Sequence, residues 1–459
     1  MSFPEDRLRK IEDKELVLPL EVKRLTFTGS VRTKPETLKH LFQELQSQKS
    51  LEGIWKHFDL IRGNVERLDV FKYISLHMEC DKTYFEEAGT PIPPVPINLT
   101  VDLKEKRPTS LSFSANTSSQ NVATVSAQAT LKNYFGNIEK LDVNFSVNPH
   151  QPSNFVGEFE YSRPLFSYGK DKVLNGSLFC TNHEPSQSRY RETRIGTTVT
   201  VTSGSNKLSY ELCHRNLKAT KGATEAILRE TGEHVKSSLK YNFTLDSRLQ
   251  QPFVRSGALL TTETELAGLG GSVYHLKHQT SLARSFVHAS LLFLSLRFHY
   301  GVIFPLSSAN SRISDRFFLG GTDSFRGCEY HGMGPRSIAS YYLLDTPSMA
   351  SSVSRLNACK GDSYGGDFFY TSSVVLGYPI ALLPAYLTPF LFFNVGNCCG
   401  WNEVWPLLTN LRKQRLLLGV GLMLSGGSGP KLEVSYSLPL QHQKTDVLAP
   451  FQYGLSLNF

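Results

Sequence analysis

Residues 372–402 read SSVVLGYPIALLPAYLTPFLFFNVGNCCGWN, a stretch without a single charged side chain. How it folds decides the class of the whole chain. A membrane-spanning helix needs about 20 consecutive apolar residues, and the length is available. However, Pro379, Pro384 and Pro389 recur every five residues. In a helix each would delete a hydrogen bond and clash with the preceding turn, at about 3 kcal/mol apiece. Gly377, Gly396 and Gly400 add to that cost. Two strands, SSVVLGY and PFLFFNVG, joined by a proline-rich turn, account for the same residues without it. The apolar stretch is predicted to be β-structure.

The rest of the chain agrees with a β-rich protein. Of 459 residues, 11% are aromatic and 20% charged, against a usual charged share of roughly 25%. The formal charge of +8 comes without any Lys/Arg run, so nucleic acid is not expected as a partner. Seven cysteines at irregular spacing include no CxxC pair, which argues against a disulfide framework and a zinc site. His275 and His278 would point to opposite faces of a strand. No metal and no cofactor is expected. The start, MSFPEDRLRKIEDKELVLPL, lacks an apolar core for a secretory signal, and its acidic residues do not suit a transit helix. Residues 1–19 read as a charged tail.

Residues 20–106 differ in period from the remainder of the chain. EVKRLTFTG reads as a strand, and Thr33-Lys34-Pro35-Glu36 as a capping box with proline in the first turn. Leu38, Leu41, Phe42 and Leu45 then keep helical spacing, as do Ile54, Phe58, Ile61, Val65 and Leu68. Alternation returns at Ile74, Leu76 and Met78, and again at Ile97, Leu99, Val101 and Leu103. The predicted order is β-α-α-β-β.

From 107 to 459 only alternation remains, in segments such as DVNFSVN (142–148), TTVTVT (197–202), SSLKYNFTL (237–245), LEVSYSL (432–438) and FQYGLSLNF (451–459). About sixteen strands fit. A soluble sandwich stack, a propeller and one large barrel could each hold that number. No 40–50-residue repeat supports a propeller. The polar face is rich in Ser, Thr, Asn and Gln, and strands often begin or end on Phe or Tyr, as in a transmembrane β-barrel. A long loop, about 305–340, interrupts the pattern. No nucleophile elbow, HExxH or phosphate loop points to an enzyme.

That loop contains Asp315-Arg316-Phe317-Phe318-Leu319-Gly320-Gly321 and then Ser324-Phe325-Arg326-Gly327-Cys328. It resembles the D-R-F-x-L-G-G…R-G-F signature of the bacterial surface antigen superfamily of outer-membrane barrel-assembly proteins. Asp246-Ser247-Arg248 with Ser256-Gly257-Ala258-Leu259-Leu260, Phe392-Phe393-Asn394-Val395-Gly396-Asn397, and Leu131-x-Asn133-x-x-Gly136 are similar to segments of its mitochondrial branch, the sorting and assembly machinery (SAM) barrel. The resemblance covers roughly residues 20–459 in order. One departure is Cys328, where the family carries an aromatic; Phe325 is the residue placed to compensate.

The resemblance implies a transmembrane β-barrel of about 16 antiparallel strands preceded by one small α/β POTRA domain. It implies a location in the mitochondrial outer membrane, with the POTRA domain in the intermembrane space. The implied activity is insertion of unfolded β-barrel precursors into the lipid bilayer, with accessory subunits as partners. A plastid import or export barrel, or a passive diffusion barrel, is the alternative. The loop residues Phe317, Gly320, Gly321, Phe325, Arg326 and Gly327 would pack inside the lumen, with Asn394 and Asp367 as candidate partners for Arg326. Gln452, Gly454, Leu457 and Phe459 match the family's β-signal. Leu111, Phe113 and Ala115, in a short Ser/Asn-rich segment, mark the candidate gate strand.

Overall fold

The computed structural model describes residues 20–29, 32–67, 69–80, 94–118, 123–165, 172–250, 255–287, 292–307, 310–322, 324–337, 361–382, 385–410, 413–425 and 431–458. Among them, no helix is long and apolar enough to cross a membrane. Two compact units divide the chain. One comprises residues 1–110 with 129–142 and 160–175, and the other holds the remainder.

The first unit is built on β1 (Leu20–Thr28), α1 (Pro35–Gln46), α2 (Leu51–Arg67), β2 (Phe71–Cys80) and β3 (Val95–Glu105). Its sheet has the order β1-β3-β2, with β3 parallel to β1 and antiparallel to β2. The helical stripes supply the core: Leu38, Leu41, Phe42 and Leu45 from α1, and Ile54, Phe58, Ile61 and Val65 from α2, all buried against Ile97, Leu99, Val101 and Leu103. Leu68 lies outside the described residues.

The expected capping box does not form. Lys34, not Thr33, occupies the N-cap and makes no side-chain cap bond. Thr33 is held elsewhere: its hydroxyl donates to the Glu105 carboxylate at 2.7 Å. It also accepts from Asn133 Nδ2 at 2.7 Å. Asn133 opens the turn of the Leu131-x-Asn133-x-x-Gly136 motif, and that turn belongs to this first unit. Lys34 N–H donates to the Gly136 carbonyl at 2.9 Å. Gly136 has φ +81°, and a Cβ there would lie 2.4 Å from the Arg32 carbonyl oxygen, so the approach requires glycine. Ile138 inserts into the α/β core itself, 3% exposed.

Glu105 ties these pieces together. It accepts from the backbone N–H of Arg32 (3.1 Å) and Thr33 (2.9 Å) and from Arg32 Nε (2.9 Å). Burial works against its charged form, but the Thr33 and Arg32 hydrogen bonds outweigh it and hold the carboxyl below its ordinary value. A carboxyl lowered in the folded state stabilises above its unfolded pKa and loses that contribution as pH falls through the lowered value. Glu105→Gln is therefore expected to destabilise the α1 N-terminus and the 133–139 turn by about 2 kcal/mol at neutral pH. Amide hydrogen exchange at 32–46 and 133–139 measures it. The gap between variant and wild type should close as the pH falls below the carboxylate range.

Sixteen strands form the barrel: β4 (Thr109–Ser118), β5 (Thr124–Lys132), β6 (Lys140–Val147), β7 (Phe155–Pro164), β8 (Lys172–His183), β9 (Tyr190–Ser203), β10 (Asn206–Ala219), β11 (Gly232–Asp246), β12 (Arg255–Ala267), β13 (His275–Val287), β14 (Phe293–Pro305), β15 (Phe368–Gly377), β16 (Ala385–Cys399), β17 (Arg415–Ser425), β18 (Lys431–Gln441) and β19 (Phe451–Asn458). The sheet closes on itself by antiparallel pairing of β19 with β4. In lipid a closed sheet leaves no backbone edge without partners. Alternation sorts the faces: on β10, Leu208, Tyr210 and Leu212 are exposed outward, while Ser209, Cys213 and Arg215 are buried inward.

The uncharged stretch is indeed a hairpin, β15 and β16. Pro389 falls inside β16, at the point where the ladder with the facing strand breaks between Gly377–Phe390 and Ile380–Leu387. Proline brings no N–H to a ladder, so it is tolerated where pairing lapses. The connection between β14 and β15 runs from 306 to 367, longer than the 305–340 expected, because residues 361–367 also fold back over the loop.

Candidate functional site

The loop fills the lumen as a small folded body. Phe317, Leu319, Phe325, Cys328 and Met333 bury together against Ile303, Phe369, Cys398 and Leu417 of the barrel wall. The double glycine makes this possible. Gly320 has φ +122°, and a Cβ there would come within 1.9 Å of the Glu329 carbonyl oxygen; the backbone doubles back too closely for any side chain. Gly321 N–H donates to Cys328 O and accepts Phe325 N–H on its own carbonyl, both at 3.0 Å. Phe325 is 1% exposed and Cys328 is buried in the same cluster. The aromatic one position before Arg326 thus packs the tip.

Asp315, the first residue of the motif, sits among basic side chains, with Glu265 2.5 Å from one of them, Lys236. Arg215 Nη1 lies 2.9 Å from Asp315 Oδ1, Lys236 Nζ 3.0 Å from the same atom, and His275 Nδ1 4.0 Å from Oδ2. Lys277 Nζ donates to the Asp315 carbonyl at 2.8 Å. These basic side chains project inward from β10, β11 and β13. Arg316 is held by Ser311, through Nε to Oγ at 2.9 Å and Nη2 to the carbonyl at 2.6 Å, and lies over the Tyr364 ring at 4.1 Å.

Arg326 rests on a surface made by glycines. Gly419 and Gly421 on β17 stand opposite Phe392 and Phe390 on β16. A Cβ at either glycine would meet the facing ring at 2.3 or 2.2 Å, so the rings lie across the neighbouring strand. The Arg326 guanidinium sits 5.6 and 5.7 Å from those two ring centres. Its Nε donates to Glu433 Oε1 on β18 at 2.8 Å. Of the two partners expected, Asn394 contributes only a weak bond, Nδ2 to the Arg326 carbonyl at 3.5 Å. Asp367 is not the partner. It accepts from Ser311 and lies 3.9 Å from Arg316 Nε, because residues 361–367 return beside the start of the loop and not its tip.

The last strand and the segment before it bind the loop tip. Ala449 N–H donates to Gly327 O, Glu329 N–H to Val447 O, and Val447 N–H to Gly332 O, each at 2.9 Å. Gln452, fully buried, completes the set: its Oε1 accepts Gly327 N–H at 3.0 Å and its Nε2 donates to Cys328 O at 2.8 Å. Cys328 and Leu448 form an antiparallel bridge. Asp446 grips Arg415 through both oxygens, at 2.9 and 3.0 Å.

The β19–β4 seam is short. It runs from Gly454 opposite Ser118 to Asn458 opposite Ser114, five positions, whereas β9 and β10 are paired over fourteen. Within the described residues Thr109–Phe113 lie beyond that ladder, with Leu111 and Phe113 exposed outward. Ala115 pairs with Leu457, whose side chain, like Phe459, lies outside the described residues. A cavity of about 590 Å³ opens on the inner side of the seam, lined by Asn116, Thr117 and Gly454 from the strands and by Gly320 and Ser324 from the loop. A methyl group at Gly454 would enter open space, so packing does not explain the glycine.

A profile of the Omp85 superfamily domain matches residues 133–459. The chain belongs to the Omp85 superfamily. The chain is similar in structure to BamA from Haemophilus ducreyi lacking POTRA domains 1–3, with a TM-score of 0.77 at 16% identity over 96% of this chain and 85% of that one. The α/β unit has the small mixed architecture of a POTRA-like domain. Curated relatives of similar length include the sorting and assembly machinery component 50 homolog A of Xenopus laevis, 27% identical over 99% of this chain and 93% of that protein. The human homolog is 26% identical over the same shares, and a SAM50-like protein of Schizosaccharomyces pombe is 24% identical over 98% and 93%.

The structure of this Omp85 chain brings Phe317, Gly320, Gly321, Phe325, Arg326 and Gly327 into one tip, with Gln452 beside them. Sequence reasoning quoted Asp315 and Arg316 in the loop motif without giving them a role, and missed Glu433. A signal was present: charged residues two apart on β12 (Glu263, Glu265) and four apart on β11 (Lys236, Lys240) mark an inward face that needs counter-charges.

Proposed function

We propose that this chain inserts β-barrel precursors into the mitochondrial outer membrane, templating their strands at the β19–β4 seam. The single observation that carries the reading is that seam. Five opposed positions join strands elsewhere paired over up to fourteen, and the unpaired half of β4 offers backbone donors and acceptors. In lipid such groups cost several kcal/mol each until a partner arrives, so an incoming strand is bound by β-augmentation. Short, small side chains at Ser114 and Ala115 specify the register weakly, which lets one strand replace another. The names of the relatives, sorting and assembly machinery component 50 homologs, support an assembly role. The POTRA domain then faces the intermembrane space, where precursors and accessory subunits reach it.

Single cysteines at Leu111, Phe113 or Ala115, combined with an arrested precursor carrying a cysteine in its last strand, test this. Crosslinks are expected at positions two apart on β4. Complete insertion with no crosslink at any of the three would defeat the reading.

A further inference from the structure

The loop tip is attached to one side of the seam. Five hydrogen bonds join Gly327, Cys328, Glu329 and Gly332 to residues 447–452. Among the described residues none joins the loop to β4, and no side-chain hydrogen bond is made by Thr109–Ser118. We propose that Gln452 is a positioning residue that fuses the loop tip to the last strand, so that when the seam opens the loop stays with β19 and β4 is the side that leaves. This rests on the seam reading above.

The chemistry of the amide supports it. A glutamine carries one acceptor and two donors on adjacent atoms, the same pair that a backbone peptide presents to a ladder. Aimed inward from β19, Gln452 adds an extra rung to the strand of the loop that runs past it. Glutamate at this position would offer two acceptors and repel the Cys328 carbonyl; leucine would offer nothing. Because Gln452 is fully buried, groups left unpaired there have no water to turn to, and their loss costs more than exchange with solvent. The segment leading into β19 is fixed as well, through the Asp446–Arg415 pair. Separation along the five-position seam therefore meets less resistance than separation of β19 from the loop.

The same residues read as a β-signal during this chain's own assembly would thus serve a second purpose once it is folded.

The native Cys328 makes the test direct. Leu448 stands opposite it in an antiparallel bridge. Opposed Cα atoms in such pairs lie about 4.5–5.5 Å apart, inside the range that disulfides span. In Leu448→Cys the full-length protein in mitochondrial membranes is oxidised to lock the clamp. A second protein, Ala115→Cys with Leu457→Cys, is oxidised to lock the seam. Insertion of an imported barrel precursor is expected within twofold of wild type for the locked clamp. The locked seam should fall at least tenfold and recover on reduction. If the locked clamp falls as far as the locked seam, the loop must leave β19 and the inference is wrong, while the seam reading stands. If the locked seam inserts normally, it is the seam reading that fails. Gln452→Glu gives a readout that needs no insertion: the rate at which maleimide modifies Cys328 should rise about tenfold, and an unchanged rate would overturn the role given to Gln452.

Discussion

Asp315→Asn is expected to unseat the loop and leave the barrel wall otherwise intact. The substitution keeps the shape of the side chain and removes its charge. Arg215 and Lys236 are then left facing a neutral amide at about 3 Å in a site where all three side chains are nearly inaccessible. Removing one partner from a buried ionic cluster costs about 3–5 kcal/mol, because the remaining charges stay desolvated. Limited proteolysis of the purified barrel in detergent should show new cleavage within 306–337, while the strands remain protected. The pair also predicts its own repair. Lys236 keeps Glu265, 2.5 Å from its Nζ, so the cation left without its carboxylate is Arg215; Arg215→Met combined with Asp315→Asn removes it and should recover part of the loss, since contacting residues do not add independently. If the double variant is no better than Asp315→Asn alone, the damage is not electrostatic.

Arg326→Ala carries the other large effect. It deletes the ion pair with Glu433 and the cation above Phe390 and Phe392. The pair is less deeply buried than Asp315, so a loss of about 3 kcal/mol is expected. Arg326→Lys separates the two contributions. It keeps the charge near Glu433 but has no planar face for the rings, and should recover about half. Precursor assembly in isolated mitochondria, followed with protease protection of the loop, would show the order wild type, Lys, Ala. Full recovery with lysine would mean that the aromatic floor contributes nothing.

Much of this architecture was legible in the order of the residues. The helical stripes at Leu38–Leu45 and Ile54–Val65 bury where their spacing places them, and the prolines of 379–389 correctly argued for a hairpin. Period and breakers are local properties, so a sequence displays them directly. Arg326 was legible as a lumen residue through its motif, but its partner was not. Glu433 is 107 positions away, and which inward residue meets the loop tip depends on where the loop turns back. The Thr33 cap failed for the same reason: its hydroxyl accepts from a distant donor, Asn133, in place of the local amide, and donates to Glu105. Gln452 was read as part of a signal, and only the fold reveals that its amide also grips the loop.

Ile138 bears on how the chain comes to be folded. It belongs to the turn between β5 and β6, yet completes the core of the preceding α/β domain. A polypeptide delivered N-terminus first cannot finish that domain when residue 105 has arrived; it must wait for some thirty residues more. During that interval the helices cover a hollow that Ile138 has yet to fill. By the time the hollow is filled, the first hairpin of the barrel has already been pinned at one end, and the order of delivery has chosen where the sheet begins.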